Sequence, residues 1–239
     1  MSFERVVKIA DADFPTRWGH FRILGFEGYL PAPRPCCEES AKHGKRVEGL
    51  VALVMGDIHS APPLVRIHSQ CLTGDVFGSL RCDCGAQLEA AMAAISAEGR
   101  GVVLYLRGHE GRGVGLLSKL QAYELQDAGA DTVDANTELG LPVDAREYSA
   151  GAQMLADLGV RSVRLLTNNP AKVSGLADCG VDITARVPVA STVTPYNLRY
   201  LVTKRDRLGH QIQDLDEAER AVVPAPVQLN GHQVRAESA

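Results

Sequence analysis

Apolar residues recur along this chain in two periods. Near the start, Trp18-Gly-His-Phe-Arg-Ile-Leu-Gly-Phe26 alternates at every second residue, as a half-buried strand does. Gly49-Leu-Val-Ala-Leu-Val-Met55 is a compact apolar run that predicts a buried strand, closed by a turn at Gly56-Asp57, and Leu64–His68 predicts another. From Cys84 to Gly99 the period becomes helical, with Leu88, Ala91, Met92 and Ile95 on one face. Gly101–Leu106 predicts a strand, Arg107–Gly115 a polar glycine-rich loop, and Leu116, Leu117, Leu120, Tyr123 and Leu125 a helix. Residues 131–144 have no clear period and predict irregular chain. A helix over Glu147–Leu158 turns Met154 and Leu155 inward, and Ser162–Thr167 predicts a strand. Asn168-Asn-Pro-Ala-Lys172 opens a further helix with proline in its first turn. Val181–Val187 alternates as a strand, and Thr194–Gly209 predicts a charged helix.

Strands alternating with helices argue for an α/β fold. The 239 residues suffice for a substantial core. Residues 31–48, rich in proline and charge, predict an exposed loop, and residues 1–60 are expected to share one domain with the strands and helices after them. The composition beyond Asp214 predicts a mobile tail over 213–239. No apolar run approaches the roughly 20 residues needed to cross a bilayer, and the first residues lack a signal-peptide pattern. A reducing, cytoplasmic setting is the expectation. The net charge of −4 supplies no bulk field for nucleic acid, so any anionic ligand must be held by local cations.

In such a setting clustered thiols point to metal before disulfide. Cys71, Cys82 and Cys84 fall in one glycine-rich, polar stretch at C-x10-C-x-C spacing. Thiolates suit Zn²⁺ in a tetrahedral site. The competing reading, three unrelated buried cysteines behaving as small apolar residues, fits a core strand better than this loop-like segment. Three protein ligands leave a position open, as catalytic sites do, whereas His68 as a fourth ligand would make the site structural. Cys36, Cys37 and Cys179 have no comparable context. The loop Arg107–Gly115 between strand and helix suits a phosphate, although such a turn is more often only a turn. Arg66, Arg81, Arg107, Arg112, Arg146 and Lys172 are the cations near these segments, and each has a solvated surface charge as its plain alternative.

Six stretches in one order carry more than the cysteine spacing: Arg66-Ile-His-Ser-Gln-Cys-Leu-Thr-Gly-Asp75, Leu80-Arg-Cys-Asp-Cys-Gly-Ala-Gln-Leu88, Gly108-His-Glu-Gly-Arg-Gly-Val-Gly-Leu116, Ala122-Tyr-Glu-Leu-Gln-Asp127, Asp131-Thr-Val-Asp-Ala-Asn136 and Leu165-Leu-Thr-Asn-Asn-Pro-Ala-Lys172. Through them the chain resembles GTP cyclohydrolase II of riboflavin biosynthesis, from about Arg66 to His210. The resemblance implies one α/β domain with a mixed sheet and flanking helices, with residues 61–212 as its catalytic region. It implies an enzyme that opens the imidazole ring of GTP, releases formate and pyrophosphate, uses zinc and magnesium, and works as a homodimer. By the same resemblance Cys71, Cys82 and Cys84 bind Zn²⁺. Arg66, Ile67, His68, Ser69, Gln70, Gln87, Glu110, Gly111, Arg112, Thr132, Thr167 and Lys172 contact GTP. Asp144 matches a proton acceptor, Arg146 a residue directed at the α-phosphate, and Tyr123 a tyrosine tied to complete processing. Gln70 departs from the glutamate common in the family. No dihydroxybutanone-phosphate synthase portion is expected in a chain of this length. The alternatives are a paralogue that stops at the formylamino product and a non-catalytic nucleotide-binding zinc protein.

Overall fold

The computed structural model describes residues 3–30, 47–213 and 215–221. Its first strand is one that hydrophobic periodicity does not reveal. β1 (Arg5–Thr16) is mostly exposed, and it is extended because it pairs antiparallel with β2 (Gly19–Tyr29), with a register shift between Lys8 and Ala10. This segment is therefore a long edge strand, held by ladder hydrogen bonds rather than by burial. β2 pairs with β3 (Val47–Met55), again antiparallel. The loop expected over 31–48 lies outside the described residues up to 46, and Val47 and Glu48 belong to β3.

β4 (Leu64–Ser69) is buried almost throughout, as a central parallel strand should be. It is followed by a single turn, α1 (Leu72–Asp75), and by α2 (Cys84–Glu98). β5 (Gly101–Leu106) comes next, then 3-10 turns over Arg107–Gly113, then α3 (Leu116–Asp127). Residues 132–138 form a helix, α4 (Thr132–Glu138), where irregular chain was expected. Asp131 caps it by accepting from the Val133 and Asp134 amides, a local cue that outweighs the missing period. α5 (Ser149–Asp157), β6 (Ser162–Leu166), α6 (Pro170–Ala177), β7 (Asp182–Val187) and α7 (Leu198–Leu208) follow. The tail expected from 213 opens instead with α8 (Leu215–Ala221), whose Leu215 packs with Leu198 and Leu201. The rest of that tail lies outside the described residues.

All seven strands form one sheet in the order β1-β2-β3-β5-β4-β6-β7, antiparallel as far as β5 and parallel from β5 to β7. α5 and α6 cover one face, setting Met154, Leu155 and Leu176 against Ile67, Leu104 and Leu165. α2 covers the other, with Ala91, Met92 and Ile95 against Leu64, Val103 and Leu166. Each fully buried leucine in these layers contributes about 2 kcal/mol. The chain leaves β4 for one face and β5 for the other, so a crevice opens where their C-terminal ends diverge. Ligands of α/β sheets bind at such a point.

Candidate metal centre and cationic cavity

Three segments reach the crevice from strand ends: Gln70–Cys71 after β4, Arg107–Arg112 after β5, and Thr167–Asn169 after β6. The sulfurs of Cys71, Cys82 and Cys84 lie within 4.8 Å of one another, the one such cluster of metal-ligating side chains among the described residues. Cys71 Sγ and Cys82 Sγ are 3.8 Å apart, too far for a disulfide. A tetrahedral zinc with Zn–S bonds of about 2.3 Å requires an S···S edge of about 3.8 Å, so the sulfur set fits that ion.

The chain permits this convergence through Gly74 in α1. A Cβ there would lie 2.8 Å from Cys82 Sγ and 3.3 Å from Cys71 Sγ. Without a metal the three thiols cannot ionise together. Hydrogen bonds from Cys82 and then Cys84 hold the Cys71 thiol far below its usual value. Its proximity in turn pushes Cys82 up to about 11 and raises Cys84. One thiolate suppresses the next two, and a dication would remove that penalty. Cys84 is also the first residue of α2, where the helix terminus favours negative charge.

His68 is not the fourth ligand. Its Nε2 lies 2.9 and 3.0 Å from the two Asp75 oxygens, and Asp75 Oδ2 also accepts from the Cys71 amide and from Tyr105 Oη. Asp75 thus braces the cysteine loop against β4 and β5, and among the described residues the cluster consists of the three cysteines. Cys179 is a free, exposed thiol away from it, and Cys36 and Cys37 lie outside the described residues.

The remaining wall is cationic. Arg66, Arg112, Arg146, Lys172 and Lys204 all line the cavity that holds the three cysteines. Arg66 donates to Leu166 O and Gln87 Oε1, while its Nε is buried without a partner. Both terminal nitrogens of Arg112 are likewise buried and unpartnered. Arg112 has φ +62°, the one positive φ outside glycine among the described residues, and its carbonyl is tied to the Ala145 amide. Strain of this kind persists where a side chain must be aimed. Burial, then Arg66, depress Lys172 well below its usual value while it donates to Ile67 O. Arg146 pairs with Asp144 and Lys204 with Asp83, which leaves Arg66, Arg112 and Lys172 as the cations short of an anion among the described residues.

Of the residues that the resemblance assigns to GTP, Ile67 and only Ile67 turns away, its side chain buried in the core beneath the cavity. Gln87 lines the cavity but commits both ends of its amide, accepting from Arg66 and donating to Asp83 and Ser191. Glu110 accepts from Lys119 and from the Leu72 amide. Tyr123 and Arg146 line the cavity, whereas Asp144 stands behind Arg146, 2.9 Å from its Nε. Burial raises the Asp144 carboxyl, but Arg146 outweighs it and the net shift is downward. Sequence reasoning missed Lys119, His109, Tyr200, Lys204 and His210, all on the cavity wall. The trace it could have used is a Lys/Tyr pair four apart on one helix face, Lys119/Tyr123 and Tyr200/Lys204.

The family model for GTP cyclohydrolase II matches residues 7–188. The chain belongs to that family. Among curated relatives, the riboflavin biosynthesis protein RibBA of Mycolicibacterium gilvum is 56% identical over 219 residues, covering 92% of this chain and 49% of that one. The RibBA proteins of Mycobacterium marinum and Mycobacterium tuberculosis H37Rv are 56% and 55% identical over the same share of each chain. The chain thus spans about half the length of the curated relatives it matches. A solved structure titled RibBX, a two-domain 3,4-dihydroxy-2-butanone 4-phosphate synthase from A. baumannii, overlays at a TM-score of 0.41 and 18% identity, covering 79% of this chain and 41% of that one. That likeness is too slight to bear on the site. For a GTP cyclohydrolase II the cysteine cluster and the cationic wall stand in one cavity, and no helix among the described residues is long and apolar enough to cross a membrane.

Proposed function

We propose that this GTP cyclohydrolase II opens the imidazole ring of GTP at a zinc ion held by Cys71, Cys82 and Cys84. Formate and pyrophosphate leave, and a diaminopyrimidinone ribosyl phosphate remains for riboflavin biosynthesis. The observation that carries this reading is the set of three sulfurs within 4.8 Å of one another, in one cavity with a wall of buried cations of which Arg66 and Arg112 keep unpartnered nitrogens. When bound, zinc supplies a Lewis acid and brings the pKa of water near neutrality, the chemistry needed for attack on the purine C8.

The chain's own residues do the rest. Arg66, Arg112 and Lys172 hold the triphosphate, which restores the charge balance that burial denies them. Although burial lowers the Arg146 guanidinium, Asp144 outweighs it and raises it further, so it remains protonated. Arg146 therefore serves as a cation at the α-phosphate rather than as a nucleophile. Asp144, kept ionised by the same pair, is the proton acceptor. Magnesium enters with the phosphate oxygens of the nucleotide. Thr132 and Thr167 offer hydroxyls to the ligand, and Gly111 allows its close approach. His68, Ser69 and Gln70 line the path from β4 to the metal. Tyr123, with Oη 3.3 Å from Thr73 Oγ1, stands beside the cysteine loop and supports processing past the formylamino stage. A cytoplasmic homodimer is part of this reading.

Product analysis tests it. Incubation with GTP, zinc and magnesium should yield formate and pyrophosphate in equal amounts. Pyrophosphate without formate would favour the paralogue that stops early, and intact GTP would sink the reading.

A further inference from the structure

Lys119 is absent from the ligand and phosphate contacts assigned above, yet it is among the most constrained cations of the site. It projects from α3 toward the cysteine loop with its side chain 11% exposed. Its ammonium lies 3.1 Å from Cys71 Sγ, 2.9 Å from Thr73 Oγ1 and 2.7 Å from Glu110 Oε1. Three partners use all three ammonium hydrogens, so its direction is fixed. Tyr123, one turn on, lays its ring 5.7 Å from the same nitrogen and closes the other side.

Three thiolates around one dication leave a net negative charge. Cys71 is buried, and water cannot fully screen that charge there. We propose, on the footing of the zinc reading above, that Lys119 is a positioning residue for the metal. It balances the tris-thiolate charge and draws electron density from Cys71 through an N–H···S bond. Glu110 and Thr73 serve to aim it. Of the residues assigned to GTP, Lys119 bonds Glu110 and packs against Gly111, while its contact with the ligand set is the Cys71 sulfur, so its effect on a bound metal passes through that sulfur. Partners of metal ligands of this kind typically govern affinity by roughly 10- to 100-fold.

The test measures metal binding rather than turnover. Zinc affinity would be determined on the full chain by competition with a chromophoric chelator. The thiolate-to-metal charge-transfer band would be recorded after cobalt substitution. Lys119→Met should weaken zinc about 10-fold or more and shift the band to longer wavelength, because an undrained thiolate is easier to oxidise. Lys119→Arg, which keeps the charge, should restore most of both. In the double variant Lys119→Met with Glu110→Gln, which removes the stranded carboxylate charge, binding should stay weak. If Lys119→Met does not fold by circular dichroism, Lys119→Gln carries the same expectation. Affinity and spectrum unchanged in the neutral variants would overturn the proposal. So would full recovery in the double variant, which would assign Lys119 to Glu110 alone. An unaltered chain that binds no zinc would overturn the zinc reading itself.

Discussion

Replacing Asp83 with asparagine removes one charge from a network that joins the metal loop to α7. Asp83 lies between two of the cysteines, with its side chain 0% exposed. Oδ1 accepts from Lys204 Nζ at 2.7 Å, and Oδ2 accepts from Gln87 Nε2 at 2.6 Å and Ser191 Oγ at 3.1 Å. Burial pushes this carboxyl up, but Lys204 outweighs it and the net shift is downward. Asparagine keeps the volume, yet one of its atoms becomes a donor, set against Lys204 Nζ or against Gln87 Nε2. If its oxygen stays on Lys204, its amide nitrogen meets Gln87 Nε2. Turning the Gln87 amide to compensate sets a donor against Arg66, which now donates to Gln87 Oε1 at 2.8 Å. Breaking a buried pair at one partner costs about 3–5 kcal/mol. Lys204 borders the cavity and regains some water, so the expected loss is about 3 kcal/mol, at the lower end of that range. Urea unfolding near neutral pH reads it as a lower midpoint at unchanged slope. Asp83→Asn combined with Lys204→Met should lose less than the sum of the two single changes. A loss under about 1 kcal/mol for Asp83→Asn would show that the pair does not brace the loop.

Three further expectations concern the site. Gly74→Ala should cut bound zinc well below one per chain by metal analysis while leaving circular dichroism intact, since its Cβ would sit 2.8 Å from Cys82 Sγ; full occupancy would contradict this. Burial first, then nearby cations, lower both His109 and His210 from 6.5 to about 3, so only the unfolded chain takes up these protons between those values. Stability should therefore fall as pH drops below about 6.5, by about 3 kcal/mol for the two together between about pH 7.5 and 5.5, and a flat unfolding profile across that window would refute it. Chelation should abolish formate release and added zinc should restore it; turnover that survives complete chelation would refute the role of the metal.

The longer helices and the central strands could be read from the sequence because each carries its own period. β4, β5 and the inward face of α2 are apolar for local reasons of burial, and the three cysteines declare a soft-metal site by residue type. What escaped reading carries no apolar period of its own. β1 is extended only because β2 lies beside it, and α4 begins because Asp131 caps two amides. Lys119 and Lys204 look like surface charges on polar helices until the fold sets Cys71 and Asp83 against them. His68 shows the opposite case, a residue whose type suits a ligand but whose Nε2 is held on Asp75 while its Nδ1 is buried without a partner, outside the sulfur cluster. Sequence names the chemistry a residue can do, whereas the fold decides which of its atoms remain free to do it.

GTP labelled at C8 gives the most direct test of a metal at Cys71, Cys82 and Cys84 that opens the purine ring. The unaltered chain, loaded with zinc and magnesium, is expected to release the label as formate in step with pyrophosphate. Cys82→Ser, folded by circular dichroism, should release neither. Label that stays with the nucleotide in the unaltered chain, or formate formed equally well by Cys82→Ser, would contradict a catalytic metal at these three cysteines.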